Sequence, residues 1–128
     1  MTTANSTYKI TNYIKVRTQF EGWHYFPNAS KLDPRIEFLE HSHRHMFHVT
    51  VQMSVNHSDR ECEFFLVKWA LNDYLNQSNM ENKSCEMMAT DIIEQHLIPT
   101  YGTREYKVTV SEDNESDGIV EYYPVNNT

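Results

Sequence analysis

The sequence predicts an α+β domain, a four-stranded antiparallel sheet with two helices on one face, in the order ββααββ. Two observations carry this. Apolar residues recur at every second position in segments near both ends of the chain, the mark of half-buried strands. Between them lie two segments whose apolar residues fall at helical spacing, and two helices on one face of an antiparallel sheet suit an α+β domain. The chain has 128 residues, 39% of them apolar and 23% charged. That is room for one real core, so residues 1–128 read as a single domain with frayed polar tails at 1–7 and 124–128.

The first strand spans Tyr8 to His24. Tyr8, Ile10, Ile14, Val16 and Phe20 take the even positions, and Lys9, Thr11, Lys15, Arg17, Gln19 and Glu21 the odd ones. His24 is even and points to the buried side if the register holds past Gly22, where a bulge would reverse it. Residues 27–34 read as a loop by their Pro, Asn and Asp content. A second strand follows from about Glu40 to Val55, and Asn56 to Arg60 makes a polar turn.

A first helix is expected over Glu63 to Asn76, with Phe64, Val67, Leu71, Tyr74 and Leu75 as its stripe. Ser84 has the form of an N-cap for the second helix, with Glu86 in the first turn, where the helix dipole favours a carboxylate. Met88, Ala89, Ile92, Ile93, His96 and Leu97 supply its apolar side, and Pro99 and Gly102 end it. Tyr106, Val108 and Val110 line the inner face of a third strand that Glu112 continues. A carboxylate at the end of an apolar row is costly unless donors meet it. Asp113 to Gly118 turns the chain into a short fourth strand, Ile119 to Tyr123.

Net charge is −7, which argues against nonspecific binding of nucleic acid or of an anionic membrane, since both need a basic surface. A small ligand in a local pocket remains open. No run is long and apolar enough for a membrane span, and residues 1–9 lack the features of a signal peptide. Cys62 and Cys85 make no disulfide framework, so a reducing, cytoplasmic setting is expected.

The chemistry-bearing stretch is Glu40 to Met53. Four of the seven histidines crowd its first nine residues. On a strand, His41, His43, His45, Phe47, Val49, Val51 and Met53 share one face. Imidazoles two apart on the wall of a core are placed to chelate a borderline metal such as zinc. The alternative is an exposed polar strand end with scattered histidines.

These residues resemble a known family over roughly Phe20 to Tyr122. Phe20-Glu21-Gly22-Trp23-His24 is similar to F-x-A-A-H, and His43-Arg44-His45-Met46-Phe47 to H-G-H-x-[FY]. Glu63 to Lys68 is similar to D-F-x-x-L-K. Tyr74-Leu75-Asn76 with Glu81 to Ala89 resembles Y-L-N…E-N-P-T-x-E-x-x-A, and Val108 to Glu112 resembles V-x-V-x-E. Five motifs in this order point to the 6-pyruvoyltetrahydropterin synthase and 6-carboxytetrahydropterin synthase family, whose members have the tunnelling (T-) fold.

The resemblance implies zinc on His24, His43 and His45, with an open fourth position of the kind found in catalytic or ligand-binding sites. It implies that Glu112 accepts two parallel hydrogen bonds from the N–C–N edge of a pterin- or purine-like ring, with Ser84 and Cys85 near that ring. Simple capping and packing is the alternative for the last two, and a solvated strand end for Glu112. It further implies a homo-oligomer with sites at subunit interfaces, the alternative being a monomer. Arg60, in the charge run Asp59 to Glu63, reads as part of a solvated turn, or instead as a residue that meets a ligand carboxylate or phosphate from a neighbouring copy.

The departures bear on activity. Leu39 stands where the family has its catalytic cysteine, and Leu71 and Asn72 stand where it has an Asp-His pair. The usual synthase activity is therefore not expected. His41, with Glu40 beside it, is the nearest substitute general base, and it is equally a fourth metal ligand or a surface residue. Three functions remain: a zinc-dependent enzyme of pterin or deazapurine metabolism, a protein that sequesters such a ligand unchanged, or, as a weaker option, a scaffold that has kept the assembly and lost the site.

Overall fold

A computed structural model describes residues 7–125. The expected frayed ends fall mostly outside the described residues, at 1–6 and 126–128. The domain is α+β, with one four-stranded antiparallel sheet in the order β1-β2-β3-β4. Its strands are β1 (Asn12–His24), β2 (His43–Val55), β3 (Tyr106–Glu112) and β4 (Ser116–Tyr122). Four helices, α1 (Ala29–Leu32), α2 (Phe64–Gln77), α3 (Cys85–Asp91) and α4 (Ile98–Tyr101), join a 3-10 segment (Pro34–Glu40) and a π-helical segment (Ile92–Leu97). Among the described residues no helix is long and apolar enough to cross a membrane.

The alternation read from the sequence sets the sheet's faces. Val16, Phe47, Val49, Val51, Met53, Val108 and Val110 are buried on one side. α2 packs over β1 there, and α3 over β3 and β4. Their inner stripes, among them Leu71, Met88, Ile92 and Leu97, close the core. β1 begins at Asn12, not Tyr8, because β2 ends opposite it at Val55. With no strand to pair against, Tyr8 and Ile10 stay exposed. β1 then runs through Gly22 without a bulge. Gly22 pairs with His45 and His24 with His43. A Cβ on Gly22 would come within 3.0 Å of the Phe20 and Phe47 rings, so its absence lets those rings stack in an unbroken ladder, their centroids 5.2 Å apart.

Residues 27–34, expected as loop, instead contain α1 and open the 3-10 segment. Asn28 takes a left-handed conformation, φ 62°, ahead of the fully buried Ala29, a conformation Asn tolerates well. The Asp33 side chain accepts the Arg35 N–H and caps the next segment. Glu40 closes this excursion by accepting from the Ser30 N–H and hydroxyl. It therefore belongs to the excursion and not to the histidine strand.

The Ser84 cap is as expected: its hydroxyl accepts the Met87 N–H at 3.1 Å. Pro99 does not end the second helical run. It lies in the first turn of α4, where a missing N–H is tolerated, and the π-helical segment leads directly into it. The run ends at Tyr101, before Gly102 at φ 87°. β4 starts three residues earlier than expected, because Asp113 and Asn114 adopt positive φ. That closes a three-residue turn and lets Glu112 pair with Ser116. Gly118 of β4 meets α3 closely. A Cβ there would stand 2.7 Å from the Glu86 backbone nitrogen, so glycine is what allows α3 to approach the sheet.

His96, in the π-helical segment, is 8% exposed and stacks on Tyr74, ring centroids 5.2 Å apart. Its Nε2 has no hydrogen-bond partner among the described residues, and burial pushes its pKa below the usual histidine value. The unfolded chain therefore binds a proton near pH 6.5 that the folded chain refuses. Stability is full above that pH and is lost as pH falls toward the folded pKa. In the presence of chelator, the urea midpoint should drop between pH 7.5 and pH 5.5, and His96→Phe should shrink the drop. A midpoint that holds or rises on acidification contradicts this.

Candidate metal centre

Three imidazoles converge where the ends of β1 and β2 meet. His24 closes β1, and His43 and His45 open β2 on the same face. One ring nitrogen from each lies within 4.8 Å of the others, and the ring centroids are 4.6 to 5.1 Å apart. Phe47 forms the floor, its centroid 5.1 Å from that of His24 and 5.6 Å from that of His45. Two-residue spacing put His43 and His45 on one face, and the unbroken register of β1 brought His24 across to them.

Each ring is turned by a partner on its outer nitrogen. His24 Nδ1 donates to the Lys83 carbonyl at 2.9 Å. His43 Nδ1 donates to the His41 carbonyl at 2.8 Å. His45 Nδ1 donates to Asp113 Oδ2 at 2.6 Å. Carbonyls and carboxylates only accept, so each Nδ1 holds the proton and each Nε2 is left with its lone pair. Fixing the tautomer through the other ring nitrogen is what orients metal-binding histidines. Burial holds His24 below the ordinary histidine pKa, against smaller opposing effects of the Lys83 carbonyl and the Glu112 charge. The neutral, ligating form is thereby favoured.

The same geometry tests whether a metal fits. His24 Nε2 is buried, with no hydrogen-bond partner among the described residues. Yet it lies 3.0 Å from Glu112 Oε2. A buried nitrogen lone pair facing a carboxylate oxygen is unfavourable without a cation or proton between them. The donor set, three neutral imidazoles beside a carboxylate, suits a borderline divalent ion. These residues fit a metal.

His24, His43 and Glu112 also line a cleft of about 760 Å³, within the range that holds a small-molecule ligand. Ser84 and Cys85, expected near a ligand, line it too, as do Leu39 and Phe26. Glu112 pairs with Phe47 across the sheet, one position along β2's inner face from His45. The Cys85 thiol is pushed up to about 12, first by burial and then by the charges of Glu112, Glu86 and Asp117. It stays protonated near neutral pH, a hydrogen-bond donor and not a nucleophile.

Two candidates lie elsewhere. His41 precedes β2, so strand parity does not govern it. It is exposed and outside the histidine cluster, and it takes part through its carbonyl on His43. Arg60 lies in the turn beyond Val55, a strand's length from His43, and pairs with Asp59 at 2.8 Å. Glu40, bonded to Ser30, is held below the usual carboxylate pKa by those bonds.

Asp113 is the site residue the sequence did not disclose. Its Oδ1 accepts the Met46 N–H at 2.9 Å while its own N–H donates to the Met46 carbonyl at 2.9 Å. That clamp fixes the β3–β4 turn against the start of β2 and aims Oδ2 at His45. The hydrogen bond from His45 is the first cause of its lowered pKa. An Asp-Asn pair after a strand signals a turn, and nothing in its spacing signals a histidine partner. No protein-family model and no curated protein sequence matches this chain.

Proposed function

We propose that the chain is a zinc-binding protein of the T-fold, with the ββααββ core of the family it resembles, that captures a pterin- or guanine-like heterocycle without the family's synthase chemistry. The observation that carries the reading is the set of groups brought together in one cleft. Inward imidazole nitrogens stand beside Glu112, whose Oε2 lies 3.0 Å from His24 Nε2, and Ser84, Cys85, Glu86 and Asp117 line the same cleft. A ligand with oxygens next to an N–H-rich ring edge meets complementary groups for both.

Zinc, when bound by His24, His43 and His45, would act there as a Lewis acid toward ligand oxygens. The chain's own residues do the rest. Glu112 accepts two parallel N–H bonds from an N–C–N edge. Cys85 donates from its thiol, Ser84 holds the helix end beside it, and Phe26 offers an apolar wall for the ring.

The cysteine and the Asp-His pair of the resembled family have no counterpart here. Leu39 offers an aliphatic side chain where the resemblance places a cysteine. Leu71 is buried in the core, and Asn72 accepts from the Thr18 hydroxyl at 2.5 Å. His41 is turned to solvent. This favours capture over turnover.

The test is incubation of zinc-saturated, untagged protein with neopterin and with guanosine triphosphate, followed by mass analysis of what denaturation releases. Ligand recovered unchanged from the wild type, and none from Glu112→Gln at saturating zinc, is the expected result. An altered product would make the chain a zinc-dependent enzyme, and equal retention by Glu112→Gln would overturn the ligand orientation.

The reading extends to a cytoplasmic homo-oligomer. Among the described residues both sheet edges, β1 and β4, are unpaired on their outer side. Phe64, Phe65, Leu66 and Trp69 of α2 are each about 60% exposed. A neighbouring copy would cover such surface and is the only route by which Arg60 could reach a ligand. Sedimentation velocity should give a mass several times that of one chain, and a monomer at micromolar concentration contradicts this part.

A further inference from the structure

The three-histidine site of the resemblance leaves one coordination position open. The distances around Glu112 point to a different state of the ligand-free chain. We infer that Glu112 is a fourth, displaceable protein ligand, so that the metal is held by three histidines and a carboxylate until a ligand arrives. This rests on the metal reading above and adds to it.

A single oxygen, Glu112 Oε2, faces two of the inward nitrogens. It lies 3.0 Å from His24 Nε2 and 3.8 Å from His45 Nε2. Both imidazoles already spend their Nδ1 protons elsewhere, on the Lys83 carbonyl and on Asp113. One extra proton would satisfy one of these two contacts and leave the other facing lone pair to lone pair. A cation at the common centre satisfies both. Donors held at about 2.0 Å from one tetrahedral ion lie about 3.3 Å from one another. The two observed separations bracket that edge.

Its surroundings support the same role. The His24 side chain is 8% exposed, whereas that of Glu112 is 32% exposed, so the carboxylate has a buried partner on one side and the open cleft on the other. It can rotate between them without unpacking the core. In the ligand-free chain the metal is closed by protein donors, as in structural sites. A ring that takes Glu112 by two N–H bonds must take it from the metal. Ligand arrival therefore frees a coordination position at the moment the ring is anchored, and the metal stays shielded otherwise.

The experiment compares wild type, Glu112→Gln and His41→Ala, without added ligand. Zinc affinity is read by competition with a chromophoric chelator, and coordination by the visible absorption of the cobalt(II)-loaded proteins. Expected are at least a tenfold loss of zinc affinity and a displaced cobalt band in Glu112→Gln, with His41→Ala like the wild type. A loss of affinity with an unchanged cobalt band would show that Glu112 acts by charge alone, and overturns the inference. Wild-type affinity and spectrum in Glu112→Gln overturn it as well, and leave the metal reading standing. A wild type that takes up neither ion overturns both.

Discussion

His24→Ala is expected to weaken zinc binding by about a hundredfold or more. Zinc held by four ligands in small domains is worth roughly 10–16 kcal/mol, so one ligand carries about 3–4 kcal/mol, or two to three decades of affinity. His24 has the most constrained place of the three. It is 6% exposed, its Nδ1 is committed to Lys83, and its Nε2 has no hydrogen-bond partner among the described residues. Among the described residues no fourth histidine is placed to substitute, since His41 lies outside the cluster. Removing a buried ring also leaves a cavity, so His43→Ala, at a more exposed position, should be measured beside it. Both should lose zinc in chelator competition while retaining a cooperative urea transition. Affinity within threefold of wild type for either variant contradicts a three-histidine centre.

Asp113→Asn is expected to weaken zinc binding by about 10- to 100-fold, the usual cost of losing a carboxylate behind a ligating histidine. Asparagine has one acceptor oxygen where the aspartate uses two, Oδ2 for His45 Nδ1 and Oδ1 for the Met46 N–H. With the amide oxygen kept on the Met46 N–H, its NH2 faces the Nδ1–H of His45, and both the negative charge and the bond that orients that ring are lost. Stability in chelator should change little, because the Met46 N–H bond and the bond from the residue's own N–H to the Met46 carbonyl are both kept. The diagnostic pattern is reduced zinc affinity with a nearly unchanged urea midpoint. Unchanged affinity would make Asp113 a turn residue and nothing more.

The two predictions differ in how far the sequence foretold them. His43 and His45 were legible because strand alternation places residues two apart on one side, whatever the tertiary fold. His24 was legible only if β1 kept its register through Gly22, and the glycine's missing Cβ is what preserves it. The helical stripes were equally readable from Val67, Leu71 and Leu75 and from Met88, Ile92 and Ile93, because periodic burial follows from the helix itself.

What failed depended on partners remote in the chain. The segment after Pro27 read as loop, yet it coils because Asn28 accepts positive φ, Ala29 is buried and Ser30 reaches Glu40. Pro99 read as a stop, but the preceding π-helical segment lets the run continue past it. His41 shared the parity of the metal histidines only if the strand began before it, and β2 begins at His43. Asp113 was hidden because its role arises from a positive-φ turn folded against Met46, which composition does not encode. Glu112 was read as a costly carboxylate at the end of an apolar row, and as a ring anchor only through the resemblance. That it also approaches His24 follows from the pairing of β3 with β2, a register no local pattern supplies.

The most direct measurement is anomalous diffraction at the zinc edge from crystals of the zinc-loaded, untagged protein. The expected result is one strong anomalous peak per chain, about 2 Å from Nε2 of His24, His43 and His45 together. A zinc peak elsewhere, or none among these three nitrogens in crystals grown with zinc, contradicts the convergence on which the site and its proposed ligand depend.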